Sequence, residues 1–516
     1  MLRYCLLIAS CLFTAAIASG QLDREGTPVS WNIGQDLVSH SIWQTYSIAD
    51  LQVLLDEDAQ VTNKNLPYRF AFAHDVSLDP ENSGHWTNLE NGDRIWVLGI
   101  ECESALSIAI TFSYMNLPRG SRIYLYSDDH QDYIGPLTSS DNRSLPIGTP
   151  HVAGSRLIIE YYEPYAYRGE GDFRIQHISQ AYRSINNFSA AQQETCIEMV
   201  ELTPNNPQIT NSSSSVLRMI VDKGQRIATA TLVNNTSYNA IPYVVTSTSA
   251  LMGHPGSWVF QFDIRKNNCN GNLNSCSASA ICGAYTMESD PDLGISLLKL
   301  RNQPRNSWSA YYSGWKINSQ AEDGFVCIQH GLGLPQSISE YPEEFSESTF
   351  SGMETSSLDP AASGGTFNGS TGSPLFDADM NLVGVFVGGD SDCMSTGKDH
   401  FVLLSSLWHK FGNYLDPLAV APERLDGVYP RQNESEHKES ELNVSFFPNP
   451  ANDWIYVETE NNLTVSEIIV IDASGRVVKK IRPLVPTIDV SDLPEGFYSL
   501  TFMVGNDSVT RSLLIR

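Results

Sequence analysis

Short runs of β-branched and aromatic residues, separated by Gly, Pro, Asn and Asp, recur along most of the chain. In the first third they fall at 94–100, 106–112, 121–127 and 156–162. Evenly spaced strands with turn signals between them predict an antiparallel β-sandwich, spanning residues 30–187. The alternation resumes over 190–424, with runs at 216–221, 227–233, 242–246, 258–262 and 293–300, and then at 312–315, 325–331 and 401–408. Residues 425–442, apart from the opening few, are polar and charged, which is linker composition. A last compact β unit fills 443–516, with runs at 446–450, 468–478, 488–498 and 511–516. The fold class predicted is all-β.

Composition narrows the classes of function. A chain of 516 residues has room for two to four domains, and 41% hydrophobic with 10% aromatic residues suits folded ones. A net charge of −27 argues against nucleic acid as a partner and predicts repulsion from anionic membrane surfaces. Residues 1–20 combine Arg3, an apolar core and small residues at the end, the pattern of a secretory signal peptide cleaved near Gly20. The lipobox-like Ile8-Ala-Ser-Cys11 comes too early in that segment to compete. No other stretch is long and apolar enough to span a bilayer. Removing the signal leaves Cys102, Cys196, Cys269, Cys276, Cys282, Cys327 and Cys393, so at least one is free or paired outside the chain. Export makes disulfides permissible. His74 and His85 show no metal-ligand spacing, and the steps between Cys269, Cys276, Cys282 and Cys327 do not fit zinc. No metal or other cofactor is expected.

The chemistry-bearing stretch is 364–377, Gly-Gly-Thr-Phe-Asn-Gly-Ser-Thr-Gly-Ser-Pro-Leu-Phe-Asp. A Gly-x-nucleophile-Gly-Ser-Pro turn aims backbone N–H groups at a substrate carbonyl. It resembles the active-site turn of trypsin-like serine proteases of the lysyl endopeptidase group, which implies a double β-barrel over 190–424. The runs Gly92-Asp-Arg-Ile-Trp96, 117–127 and Glu160-Tyr-Tyr-Glu-Pro164 resemble the β-sandwich that precedes such domains in secreted bacterial proteins. The C-terminal unit has Pro448-Asn-Pro450, Asp472-Ala-Ser-Gly-Arg476 and Leu493-Pro-Glu-Gly-Phe-Tyr498 in order. It resembles the type IX secretion sorting domain of Bacteroidota. That implies Sec export, passage through the outer membrane by the type IX machinery, and a cell-surface or extracellular product.

Compared with the protease family, the catalytic triad is degenerate. Peptide hydrolysis by this route needs a nucleophile, a base and a carboxylate orienting the base. The nucleophile position holds Thr371. The base position, in Thr246-Ser-Thr-Ser-Ala250, holds Ser249, whose hydroxyl has no proton affinity near neutral pH. The acid position, three residues before Leu297-Leu-Lys-Leu300, holds Gly294. Asp292 is two residues off, a displacement of roughly 6–7 Å along a strand. His254, five residues past Ser249 and beyond a Gly-Pro-flanked turn, is the nearest substitute for a base, and His330, in Ile-Gln-His-Gly where the family tends to carry His-His-Pro, reads as inherited scaffold. The Gly369 and Thr371 amides remain as an oxyanion-hole-like nest.

The resemblance also implies that Cys196 pairs with Cys393. The family's other disulfide positions here are Ala228 and Ala250. Pairing of Cys102, Cys269, Cys276, Cys282 and Cys327 stays open, local bridges among the last four included. Alignment with the family's lysine pocket places Asp399 at the acid that meets a substrate ammonium, with Val402 where the family has Gly. A surface or structural aspartate is the competing account of Asp399. Together these features predict an exported protein with a catalytically inactive protease domain that binds peptides or proteins. An active Lys-directed endopeptidase with an unconventional site and a purely structural surface protein are the alternatives.

Overall fold

The computed structural model describes residues 21–22, 26–32, 42–61, 63–185, 197–200, 207–265, 279–318, 324–342, 345–391, 397–420 and 422–430. In the C-terminal region it describes 444–447, 451, 454–459, 465, 467–472, 477–481, 487–504 and 507–515. The signal segment 1–20, the expected Cys196–Cys393 pair, Cys269 and Cys276 lie outside the described residues. Packing divides the chain into two compact units, Met1–Pro430 and Arg431–Arg516.

The first unit begins with two sheets. One has the order Ile42–Tyr46, Arg94–Cys102, Arg156–Glu163, Arg122–Ser127, Tyr133–Leu137, with His85–Asn88 also on Arg94–Cys102. The other is built on Ser107–Asn116, Asp172–Ala181 and Ala71–Leu78. Trp96, Leu98 and Ile100 face a core shared with Ile108, Ile110 and Phe112 of the second sheet. Their neighbours Ile95 and Val97 face a separate cluster with Tyr124, Tyr126 and Ile158. Burial on both faces explains why these strands read as nearly continuous apolar runs. A helix absent from the sequence-based expectation, Leu51–Ala59, follows the first strand, capped by Asp50, whose side chain accepts from the Val53 N–H.

Two further sheets, antiparallel along the orders that follow, form the protease-like part. The first runs Ala280–Cys282, Val259–Gln261, Val216–Val221, Arg226–Val233, Tyr243–Ser247, Ile295–Leu300, Ala284–Asp290. The second runs Ser337–Tyr341, Phe325–Gln329, Pro374–Asp377, Leu382–Gly389, Asp399–Leu403, Met353–Leu358, Ser346–Phe350. Alternation sorts their side chains. Leu217, Met219, Ala228 and Ala250 fill the first interior, and Phe325, Cys327, Phe386 and Phe401 the second. Val216, Val245, Leu297, Phe376 and Val402 meet in a core between the two.

Three details differ from expectation. The apolar run 401–408 is a strand only to Leu403, after which Leu404–Leu415 is helical because Leu404, Leu407, Phe411 and Leu415 bury one face. The polar linker begins later than 425: Arg424–Leu425 pairs with Trp315–Lys316, and Val428 exchanges two 2.9 Å backbone bonds with Tyr312. The sandwich and the protease-like part also join in one unit. Tyr68–Arg69 pairs with Ile227 and Arg226, and Ile220, Ile227 and Val259 complete the sandwich core.

The C-terminal unit has a sheet ordered Val477–Ile481, Glu467–Asp472, Gly496–Val504, Asp507–Ile515. A three-stranded sheet, Val444–Phe447, Trp454–Thr459, Thr487–Asp489, accompanies it. Ile455, Ile468, Leu500 and Leu513 lie in their common core.

Candidate functional site

The Thr371 turn is bonded to both protease-like sheets. Thr229 N–H donates to the Thr371 carbonyl at 3.0 Å, and Gly372 N–H donates to the Phe386 carbonyl at 2.9 Å. Gly372 has φ +87°, and a Cβ there would stand 2.2 Å from the Thr229 carbonyl and from Thr246 Oγ1. Only glycine fits so close an approach. Thr371 is fully buried. Its Oγ1 lies 2.7 Å from Ser247 Oγ and 2.9 Å from Ser249 Oγ, and those two hydroxyls are 3.0 Å apart. Ser249 comes from the short turn Thr248–Ala250 that follows Tyr243–Ser247. Three hydroxyls therefore close a triangle at the nucleophile position.

Gly294 accepts from the Thr248 N–H at 2.7 Å and has φ +72°. A Cβ on it would meet Met353 Sδ at 2.6 Å. The nearby carboxylates are differently engaged. Asp292 is exposed, and its N–H donates to Asp290 Oδ1. Asp290 meets Lys410 at 2.7 Å; burial alone would raise its pKa, but Lys410 and the Leu293 and Asp292 amides outweigh burial and lower it. His330 is fully buried and its Nδ1 donates to the Leu334 carbonyl at 2.9 Å. Burial and then the Arg218 guanidinium pull its pKa down to about 3, too weak for a base at neutral pH. His254 is exposed, and its Nδ1 accepts from the Gly256 N–H at 3.0 Å.

Asp399, on Asp399–Leu403, is fully buried. Its Oδ1 accepts 2.7 Å bonds from Thr366 Oγ1 and Ser391 Oγ, and its Oδ2 accepts one of 2.7 Å from the Tyr341 hydroxyl. Burial and the Asp399 charge hold the Tyr341 phenol well above its usual pKa, so it stays a donor. Val402 packs into the core between the sheets. A cation enters this polar end from the N-terminal part of the chain. Lys64 Nζ donates to Thr366 Oγ1 at 3.2 Å, to Ser391 Oγ at 3.0 Å and to the Ser391 carbonyl. The residues around Lys64 are held by the same glycine-rich stretch. Asn368 Nδ2 donates to the Asn63 carbonyl at 2.8 Å, and Gly369 N–H donates to the Leu66 carbonyl at 3.4 Å. The Gly369 amide, expected in the oxyanion nest, thus already has an acceptor.

Lys64, Thr366, Ser391 and Tyr341 were not anticipated from the sequence. Thr366 lies in the 364–377 stretch, and its place five residues before Thr371 was the available signal. Lys64 carried none, because its partners stand 302 and 327 residues away.

Among the described residues Cys102, Cys282 and Cys327 are free and buried, so the local bridges considered for Cys282 and Cys327 are not present there. Cys282 belongs to the sandwich-side core and Cys327 to the second interior. Burial pushes the Cys102 and Cys282 thiols up to about 12, which leaves them inert apolar fillers.

Among solved structures, the chain is similar to the MamO protease domain from Magnetospirillum magneticum at 11% identity and a TM-score of 0.27, covering 39% of this chain and 96% of that one. It is similar to the HtrA-type protease AlgW with tripeptide at 12% identity and a TM-score of 0.30, covering 60% and 96%. A serine endoprotease from Yersinia pestis gives 11% identity and a TM-score of 0.29, covering 61% and 98%. Residues 194–402 match the family described as lysyl endopeptidase, C-terminal domain. Residues 445–516 match the secretion system C-terminal sorting domain. The protein is therefore a secreted, protease-like protein whose C-terminal sorting domain directs it across the outer membrane to the cell surface or the extracellular space.

Proposed function

We propose that the protease-like part binds peptides and does not hydrolyse them. One observation carries this. The group within hydrogen-bond reach of Thr371 Oγ1, at the place the family gives to its imidazole, is the Ser249 hydroxyl at 2.9 Å. A hydroxyl partner cannot take the nucleophile's proton near neutral pH. Loss of triad members leaves only about 10³–10⁴-fold acceleration over water, far below what peptide hydrolysis needs. A bound peptide would lie where the family holds its substrate, beside the glycine-rich 364–372 turn, and in that cleft the buried Asp399 favours a binding role for Lys- or Arg-bearing segments.

The test uses the mature full-length protein with a fluorophosphonate probe and a chromogenic Lys peptide. Neither label nor turnover is expected from protein shown to be folded by circular dichroism. Labelling of Thr371, or turnover abolished by Thr371→Ala, would establish the endopeptidase alternative instead.

A further inference from the structure

Asp399 is a carboxylate with no exposure, and such a charge needs compensation. Its three hydroxyl donors supply hydrogen bonds but no positive charge. The hydroxyl directions are informative. Thr366 and Ser391 spend their O–H protons on Asp399 Oδ1, so their lone pairs face away from it. Those lone pairs and the Ser391 carbonyl make a three-acceptor socket. An ammonium has three N–H bonds, and Lys64 places them on these three acceptors. The socket is matched to a primary ammonium more closely than to a planar guanidinium fork.

The surrounding backbone, which turns at Lys64–Asn65 and bends at Leu66, is held by the far half of the chain as well. Asn63 is held by Asn368 and Leu66 by Gly369. A Cβ on Gly388 would stand 2.8 Å from Asn65 Cβ, so the absence of a side chain there makes room for the segment. Lys64 also lies 5.9 Å from the Phe367 ring centroid. The ends are pinned. Asp58, at the end of the helix Leu51–Ala59, bonds Arg69 at 2.7 Å, Tyr182 at 2.7 Å and Arg183 at 3.0 Å. Just beyond, Tyr68–Arg69 pairs with Arg226–Val233.

We propose that residues 63–66 are a resident ligand of the cleft, with Lys64 filling the ammonium socket in cis, so that a Lys-bearing peptide binds only by displacing them. This rests on the cleft being a binding site, as proposed above, but occupancy by Lys64 can be measured separately. The segment is not presented as a substrate. The carbonyl at the Gly369 amide belongs to Leu66, two residues past the lysine, whereas cleavage after Lys64 would require the Lys64 carbonyl there.

Two measurements test it. In the mature protein treated with acetic anhydride, peptide mass spectrometry should show Lys64 acetylated at least tenfold more slowly than Lys223, and Asp399→Asn should erase that protection. Equal rates at Lys64 and Lys223 in the wild type overturn the proposal. Next, a fluorescent Thr-Asn-Lys-Asn-Leu-Pro-Tyr peptide is titrated by anisotropy. Lys64→Ala should bind it at least tenfold more tightly than wild type, and the norleucine version of the peptide should not bind. Equal affinity in the two proteins overturns competition in cis while leaving the cleft a peptide site. Protection of Lys64 with no peptide binding by either protein supports the resident ligand and refutes the peptide-binding function instead.

Discussion

Coupling between Lys64 and Asp399 can be measured by a double-mutant cycle with Lys64→Met, Asp399→Asn and the pair together. The ammonium reaches the carboxylate through the Thr366 and Ser391 hydroxyls, two hydrogen bonds in series, for which roughly 5 Å between the charges is a working value. At an effective dielectric of about 20, that separation is worth about 3 kcal/mol. Lys64 is only half-buried, and solvent screening trims the expected coupling to about 2–3 kcal/mol. Lys64→Met alone should cost slightly more, because it also leaves Asp399 buried without a cation. The assay is urea unfolding of the mature protein followed by tryptophan fluorescence, with the coupling taken from the four unfolding free energies. A coupling below about 0.5 kcal/mol would show that the relay carries no charge compensation, and the account of the socket would fall with it.

Gly294→Asp, the change that would restore the family's acid, should destabilise the protein by about 1–3 kcal/mol through its positive φ and the Met353 contact; a urea midpoint equal to wild type refutes this. Gly388→Val should force residues 63–66 out of the cleft, because a Cβ there meets both Asn65 and Phe350. Limited trypsin digestion would then cut after Lys64 at least tenfold faster than in wild type, and unchanged cleavage argues against the seating described. His330 and His151 have pKa values lowered to about 3 and about 4, chiefly by burial, against about 6.5 unfolded. The unfolded chain therefore gains protons that the folded one refuses. Stability should fall as pH drops from about 6.5 to 5, by about 3 kcal/mol for the two together. Their imidazole NMR resonances should not titrate across that interval, and movement of either refutes the assignment.

The strands were legible because their residues alternate between two buried faces, as Trp96 and Val97 do, and such runs look apolar throughout. The helix Leu404–Leu415 was obscured because its first apolar residues continue the strand Asp399–Leu403, hiding the change of period. Ser249 was singled out by register after the strand Tyr243–Ser247 and Thr371 by its glycine-rich turn, and the fold brings their hydroxyls within 2.9 Å. Lys64 lay beyond that method. It sits in a loop with no periodicity, and its meaning comes entirely from groups contributed by the far half of the chain.

That separation has a consequence for how the protein is made. Residue 64 leaves the ribosome, and then the export channel, long before Thr366 or Ser391, which follow it by 302 and 327 residues. When the second sheet finally closes around Asp399, the neutralising ammonium is already tethered nearby. The later-made part of the unit thus has its cation supplied by the earlier-made part, and the buried Asp399 need not be enclosed without one.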